Sequence, residues 1–308
     1  MRKFRIVFFL LLVTLPGAAQ RFPERWFTLN PLFNKPNGKE NLGWSVMHSS
    51  FGWGEFGAYR IVRDDEHAWI QRLGVFVEFF RVNEHSSFGF VSTIEFIANP
   101  QNDIRFNPRA IFWEEGFLFS QKNSGGSYWQ AGYMHRCKHD VDNANIQRER
   151  SLIYGSIVGK YILPVSFESN SAQALLTLRT DIFTLRQDDR QPENFSSLLP
   201  NYKSLFAAAG YLFHVRASSL PPPFGLYGTI WSSLNMYGTK QEIFLGVDNI
   251  SSVLFQGGIG GGISVEGNAR LRIGISYEYS PDTGINPFPE QAHLLALSIT
   301  ITPMNAIW

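Results

Sequence analysis

The hydrophobic pattern along the chain has a period of two. In Ala269–Ser280 the odd positions are apolar or aromatic, and the even positions are polar, charged or glycine. Successive side chains of a β-strand point to opposite faces of a sheet, so this alternation predicts a strand with one apolar and one polar face. The same alternation recurs in residues 172–186, 69–79 and 88–96. The chain is therefore predicted to be an all-β protein.

The alternating segments are long and numerous. Soluble strands usually have about five or six residues, whereas tilted strands that cross a bilayer need about 9 to 11. Many segments here exceed about ten residues, which favours a transmembrane antiparallel β-barrel of about twelve strands over a soluble sandwich. An even strand number places both chain ends on one side of the membrane. The predicted strands are 51–63, 68–83, 86–98, 106–122, 126–139, 148–164, 171–187, 201–216, 223–237, 252–266, 269–282 and 291–303.

The connections between the predicted strands alternate in length. Short turns at 83–87, 121–125, 166–171 and 266–268 alternate with longer polar loops. Short periplasmic turns and longer outer loops are typical of bacterial outer-membrane barrels. Aromatic residues make up 15% of the chain, and many occupy positions suited to interfacial girdles. We therefore predict a bacterial outer-membrane protein with both termini in the periplasm.

The N-terminal sequence has the features of an export signal. Arg2, Lys3 and Arg5 precede an apolar run over residues 6–13, and small residues follow up to Ala19. The apolar run is shorter than the ~20 residues that a membrane-spanning helix needs. These features predict a signal peptide over 1–19, cleaved after Ala19. Residues 20–50, rich in turn-forming residues, are predicted to be a periplasmic lead-in that folds against the barrel or into its mouth, and residues 51–308 the barrel.

Charge and cysteine content narrow the choice of partners. Without Arg2, Lys3 and Arg5, 24 of the 27 basic residues remain against 26 acidic residues. A near-neutral chain gives no reason to expect nucleic acid as a partner. The expected partners are membrane lipids, lipopolysaccharide and the outer-membrane assembly machinery. Cys137 is the sole cysteine, so an internal disulfide is impossible.

The densest polar cluster covers residues 135–143. Alternation along this strand places His135, Cys137 and His139 on the same lipid-facing side as Trp129 and Tyr133. If the following hairpin centres near residue 143 or 144, Glu149 or Ser151 lies across from Cys137. The hypothesis is a catalytic site in which Cys137 is the nucleophile, His135 the base and Glu149 the carboxylate that orients the base. Its substrates would be ester bonds of phospholipid or lipopolysaccharide at the outer leaflet.

This arrangement resembles the outer-membrane phospholipase A barrels, which carry a His-x-Ser pair on one strand and an asparagine on the next. In that resemblance His135 takes the position of the base, Cys137 that of the nucleophile and Glu149 that of the asparagine. The resemblance implies a lipid-directed hydrolase or acyltransferase.

A broader resemblance is to the outer-membrane barrels grouped as domain-of-unknown-function 1207. These carry a Tyr-His-x-Ser-Ser-His-Leu-Gly-Asp-Glu stretch followed by an Arg-Glu pair. Residues 134–143, with Arg148 and Glu149 after them, are similar to this pattern, as are Phe51-Gly52 and residues 279–284. The resemblance implies a barrel fold and no particular activity.

Several alternatives remain open at the level of sequence. The polar cluster also fits the root of a surface hairpin, or a metal site because His-x-Cys-x-His projects its ligands on one face. No cofactor is predicted, although the acidic loop at Asp140 and Asp142 could bind a divalent cation such as Ca²⁺. The competing function is a non-enzymatic structural barrel or a narrow channel, with lumen salt bridges among charged strand residues. Those residues are Arg179, Asp181, Arg270, Arg272 and Glu278.

The glycine run over residues 257–262 lies within a strand pattern. Its spacing is similar to that of nucleotide-binding loops, but no helix is predicted after it. We expect these glycines to allow bending or close strand approach.

Overall fold

The protein is described by a computed structural model that covers residues 25–34, 45–47, 49–62, 68–98, 108–140, 151–167, 172–188, 205–218, 220–240, 247–281, 291–304 and 306–308. The predicted signal peptide, its cleavage position after Ala19 and most of the predicted long loops lie outside these residues. No helix in the described ranges is long and apolar enough to cross a membrane.

The fold is a closed antiparallel barrel of twelve strands, β2 to β13, with a two-residue strand β1 beside β3. Each barrel strand pairs with the next along the chain, and β13 pairs with β2 to close the sheet. The strands are β1 (Ser45–Val46), β2 (Ser50–Val62), β3 (Trp69–Val82), β4 (Ser86–Ala98), β5 (Pro108–Lys122), β6 (Tyr128–Asp140), β7 (Ser151–Ser166), β8 (Ala172–Asp188), β9 (Leu205–Ala217), β10 (Phe224–Lys240), β11 (Val247–Glu266), β12 (Ala269–Ser280) and β13 (Ala292–Pro303).

The predicted fold class is confirmed, and every predicted strand overlaps one strand of the barrel. The largest shift is at β11, which begins at Val247 rather than at 252. The additional residues of β11 pair with the end of β10 across two register shifts, one of them between Tyr237 and Gly238. Interruptions of this kind break the alternation from which strand ends are predicted.

The two faces of the sheet differ in polarity. Outward residues in the middle of the strands are large and apolar, for example Ile259, Ile275 and Leu297, whose exposed fractions are 57%, 60% and 59%. Inward positions include buried charged residues such as Arg72 and Asp181. An apolar exterior around a polar interior is the arrangement of a barrel that spans a bilayer.

Residues 25–34, which we call the plug segment, run through the barrel interior. Phe27 and Leu29 are buried in one cluster with inward residues such as Trp53 and Phe76. The segment ends in a short 3₁₀-helix, Pro31–Phe33, whose first turn is capped by the Asn30 side chain. Apolar side chains of the plug segment therefore pack against an apolar part of the lumen wall.

The C-terminal residues pair with the plug segment inside the barrel. Leu29 and Ile307 form an antiparallel bridge. The Trp308 amide donates to the Thr28 carbonyl at 3.0 Å, and the Asn30 amide donates to the Ala306 carbonyl at 2.9 Å. These bonds satisfy backbone groups of the plug segment that would otherwise be buried without partners.

Candidate functional sites on the wall and in the lumen

Two of the predicted catalytic residues, His135 and Cys137, lie on β6. Arg136 between them points into the lumen, so His135 and Cys137 share the outward face with Tyr133, which is 44% exposed. Cys137 itself is only 8% exposed. Both residues thus lie on the wall that faces lipid, and the thiol is largely covered by its neighbours.

The strand register around Cys137 differs from the expected one. Cys137 pairs with Ile153 on β7 and with Trp113 on β5. Ser151, expected near Cys137, instead pairs with His139, so the register is offset by two residues from the expected one. Glu149, the predicted orienting carboxylate, lies outside the described residues. The position directly across from the thiol therefore carries an apolar side chain.

A different carboxylate lies beside His135. Glu115 on β5 is the direct cross-strand partner of His135, on the outward face between Trp113 and Phe117. Facing residues of neighbouring strands have Cβ atoms about 4.5–5.5 Å apart. Glu115 was not predicted, because its position beside His135 depends on the register between β5 and β6, which the short turn joining these strands sets.

Catalysis by His135, Cys137 and Glu115 would require a hydrogen bond between the imidazole and the thiol. Within the described part of the chain, no hydrogen bond joins His135 to Cys137. A base must come within hydrogen-bond reach of the proton that it removes. His135 and Glu115 are cross-strand neighbours on the outward face, and Cys137 lies two residues further along β6 on the same face.

The described residues provide no set of ligands for either of the metal sites considered from the sequence. Among the described residues, no group of three or more His, Cys, Asp or Glu side chains converges. The Asp142 and Asn143 positions of the acidic loop lie outside the described residues, as does the Asp140 side chain.

The lumen holds a second and more extensive group of polar residues, centred on Arg25 of the plug segment. Arg25 Nε lies 2.7 Å from Glu278 Oε2, an ion pair without hydrogen-bond geometry. Arg25 Nη2 donates to Glu95 Oε1 at 3.3 Å. Arg72 donates to the same Glu95 at 3.1 Å and to Glu55 at 2.7 Å. The plug segment is thereby tied to β4 and to β12, between which β3, β2 and β13 lie.

A neighbouring network joins four further strands, β5 to β8. Arg136 donates to Ser156 at 2.8 Å and to Asp181 at 2.8 Å, and it also pairs with Glu114. Arg179 holds Asp181 through two hydrogen bonds of 2.8 and 3.1 Å. Arg179 and Asp181, two of the predicted lumen residues, thus form one ion pair. Paired buried charges of this kind cross-link the walls without leaving a free charge.

The C-terminal half of the plug segment is held by hydrogen bonds to its backbone. Arg81 donates to the Pro31 carbonyl at 2.7 Å and to the Asn34 carbonyl at 2.8 Å. Gln130 donates to the Leu29 carbonyl at 3.1 Å. Strands on different sides of the lumen therefore fix the segment along its length.

The glycine run of β11 forms a groove for aromatic side chains. A Cβ atom at Gly258 would lie 2.5 Å from Trp231 Nε1 and 3.0 Å from Trp26 Cη2. A Cβ atom at Gly260 would lie 3.3 Å from Trp26 Cζ3. The glycines allow the plug segment's Trp26 to approach the strand closely, and Trp26 packs edge-on against Trp231 with ring centroids 6.2 Å apart.

The lumen cavities next to the plug segment are small. Three of them have volumes of about 20, 30 and 50 Å³. A water molecule needs roughly 10–15 Å³ of such space, so each holds a few waters at most.

Comparison with known proteins gives structural likeness only. No family model matches the chain, and no curated protein matches it. The resemblance to the domain-of-unknown-function 1207 barrels therefore stays a prediction.

Solved barrels cover most of the chain at low identity. The transport unit of the autotransporter AIDA-I from Escherichia coli is 14% identical with a TM-score of 0.38, covering 89% of this chain and 94% of that one. The translocator domain of the autotransporter NalP from Neisseria meningitidis is 11% identical with a TM-score of 0.40, covering 86% and 90%. The outer membrane phospholipase (OMPLA) dimer of Salmonella typhi with bound calcium is 8% identical with a TM-score of 0.38, covering 87% and 94%.

Proposed function

We propose that the protein is a non-enzymatic structural barrel of the bacterial outer membrane whose lumen is sealed by its own N-terminal segment. The observation that carries this proposal is that the barrel wall holds the plug segment at both ends. At one end Arg25 pairs with Glu95 and Glu278. At the other end Arg81 donates a hydrogen bond to the Asn34 carbonyl. A segment held at both ends fills the space through which a solute would pass. The apolar outer wall supports the membrane location.

The energetics favour a permanent plug over a gate. Separating one partner of a buried ion pair costs about 3–5 kcal/mol, because it leaves an uncompensated charge. Arg25 has two carboxylate partners, and Arg81 has Glu78 and two backbone carbonyls. Expelling the plug segment would break all of these contacts together, so the narrow-channel alternative is disfavoured.

Planar-bilayer conductance tests the proposal. The refolded wild-type protein is expected to be electrically silent, whereas a variant lacking residues 25–34 is expected to conduct. Stable wild-type conductance would contradict a sealed lumen. Silence of a deletion variant shown to be folded by its resistance to unfolding in cold detergent would mean that the plug segment is not the seal.

A second candidate function is lipid-directed hydrolysis or acyl transfer, favoured by the pairing of Glu115 with His135 on the lipid-facing wall. Ionisable residues facing lipid are costly and are seldom present without a role. Glu115 would orient the imidazole and stabilise its charged form, while His135 would take the proton of the Cys137 thiol after a rotation of either side chain. The partners in this case are phospholipid or lipopolysaccharide, and Glu149 remains a further candidate carboxylate.

Assay of phospholipid and lipid A hydrolysis tests this second function. Cys137→Ala and His135→Gln are each expected to abolish turnover, and Glu115→Gln to lower it. Equal turnover in wild type and Cys137→Ala would exclude the thiol as nucleophile. A matched pair of Glu115→Gln and Glu149→Gln separates the two candidate carboxylates, since only the orienting one should change the pH profile.

A further inference from the structure

Arg272 on β12 is a buried cation that forms no ion pair with any of the described residues. Its side chain points into the lumen and is 4% exposed, and its Nε atom has no hydrogen-bond partner. No residue in the described ranges forms an ion pair or a hydrogen bond with its guanidinium. Arg270, two residues earlier, donates to Glu266 at 3.0 Å and to the Ile307 carbonyl at 2.9 Å.

An unpaired guanidinium in a protein interior is costly. Burying an isolated charge is strongly unfavourable unless another group neutralises it or solvates it. The Tyr227 ring, 5.1 Å from the guanidinium carbon, supplies a cation–π contact. That contact covers one face of the guanidinium and leaves its N–H donors without acceptors.

The donors of Arg272 line a cavity of about 30 Å³. Trp26 and Phe27 of the plug segment form part of its wall. Hydroxyl-bearing residues of β10, β12 and β13, on one stretch of the barrel wall, line the rest: Tyr227, Thr229, Ser276, Ser298 and Thr300. The wall also contains Glu55, whose carboxylate accepts a hydrogen bond from Arg72 at 2.7 Å and is thereby neutralised.

We propose that this cavity binds a monatomic anion, of which chloride is the physiological example, with Arg272 as its cationic ligand. Hydroxyl hydrogens and guanidinium N–H groups are the donors that a halide accepts. The volume is about that of two water molecules, which admits a halide. The site does not depend on whether the barrel is structural or enzymatic.

Halide binding would stabilise the plugged barrel. The cavity closes only when Trp26 and Phe27 are in place, so a ligand bound there favours the plugged state by mass action. A halide-dependent rise in melting temperature of about 2–4 °C is expected at saturating concentrations. Sodium gluconate at the same ionic strength, whose anion is too large for the cavity, is not expected to produce this rise.

The test uses full-length mature protein in detergent and has two readouts. Crystals soaked in sodium bromide are expected to show an anomalous peak within contact distance of the Arg272 guanidinium. Thermal melts in bromide and in gluconate are compared for wild type, Arg272→Met and the matched lumen variant Arg179→Met, in which Asp181 keeps Arg136 as its partner. The bromide-dependent shift is expected in wild type and Arg179→Met and absent in Arg272→Met.

Several results would overturn the proposal. In the bromide-soaked crystals, a cavity that holds only water, or an ion pair between Arg272 and Glu55 where the bromide was expected, would do so. In the thermal melts, a bromide-dependent shift that persists in Arg272→Met would do so. If Arg272→Met does not fold, Arg272→Lys keeps the charge with fewer donors and is expected to need at least tenfold more bromide for half of the shift. An unchanged bromide dependence in Arg272→Lys would also count against the site.

Discussion

Arg25 is the residue on which the closure of the lumen depends most. It belongs to the plug segment, yet its two carboxylate partners, Glu95 and Glu278, belong to β4 and β12. Arg25 is 2% exposed, so its charge is not solvated by bulk water. A single side chain thus connects the segment to two distant strands.

Arg25→Met is expected to destabilise the protein by about 3–5 kcal/mol, because Glu278 and Glu95 each lose a buried ion-pair partner. Urea unfolding followed by tryptophan fluorescence measures the loss. The double variant Arg25→Met/Glu278→Gln also removes the charge of Glu278 and is expected to recover part of the lost stability. If the double variant is less stable than Arg25→Met, the lost charge pairing at Glu278 is not the cause.

Gly258 is a position at which Trp26 of the plug segment packs closely against the sheet. Gly258→Val is expected to cost about 1–3 kcal/mol, because the added atoms would overlap Trp231 and Trp26. Gly125 has open space around its Cβ position and is the matched control, so Gly125→Ala should change stability by less than about 0.5 kcal/mol. Trp26 is expected to become accessible to acrylamide in Gly258→Val only. Equal quenching in both variants would show that the groove does not hold Trp26.

The direction of a side chain, into the lumen or towards lipid, was predictable from the alternation of apolar and polar residues along each strand. Alternation alone placed His135 and Cys137 outward and Arg179 and Asp181 inward, as the barrel has them. Pairing across strands was not predictable to the same degree, since it depends on the register of each hairpin. Glu115 beside His135 and the isolation of Arg272 both follow from register.

At the scale of elements, the plug segment and the C-terminal tail form a small antiparallel pair inside the barrel. Removing Ile307 and Trp308 would delete the bridge to Leu29 and the hydrogen bonds between Trp308 and Thr28. The truncated protein is expected to keep its barrel while the backbone amide of Thr28, whose acceptor is the Trp308 carbonyl, exchanges hydrogen at least tenfold faster. Barrel amides such as that of Val91 serve as the internal reference. Unchanged protection of the Thr28 amide would show that the walls alone hold the segment.

The sequence predicted the barrel strands well and the plug segment poorly for one physical reason. A barrel strand has a lipid face and a lumen face, and that difference imposes the period of two. The plug segment is surrounded by protein on all sides, so apolar Phe27 and charged Arg25 are buried alike and no period results. Its position follows from partners on other strands.

At the scale of the whole molecule, the outer wall should interact with lipid according to depth. Leu297 lies in the middle of β13, and Ile301 lies near its end, and both point outward with exposed fractions of 59% and 46%. An arginine at the bilayer midplane of such a barrel costs about 2–4 kcal/mol, and one near the interface about 0–1 kcal/mol. Leu297→Arg is therefore expected to destabilise the protein far more than Ile301→Arg.

Urea titrations in phospholipid vesicles measure this difference on one strand with one type of substitution. Repeating them in detergent micelles, which have no fixed hydrocarbon thickness, should shrink the difference between the two variants. Similar costs for both positions in vesicles would mean that β13 does not cross a bilayer at this depth. A larger loss of stability for Ile301→Arg would place the membrane midplane nearer to the Pro303 end of β13. Arg270 and Arg272, which lie beside that end, would then be close to the midplane as well.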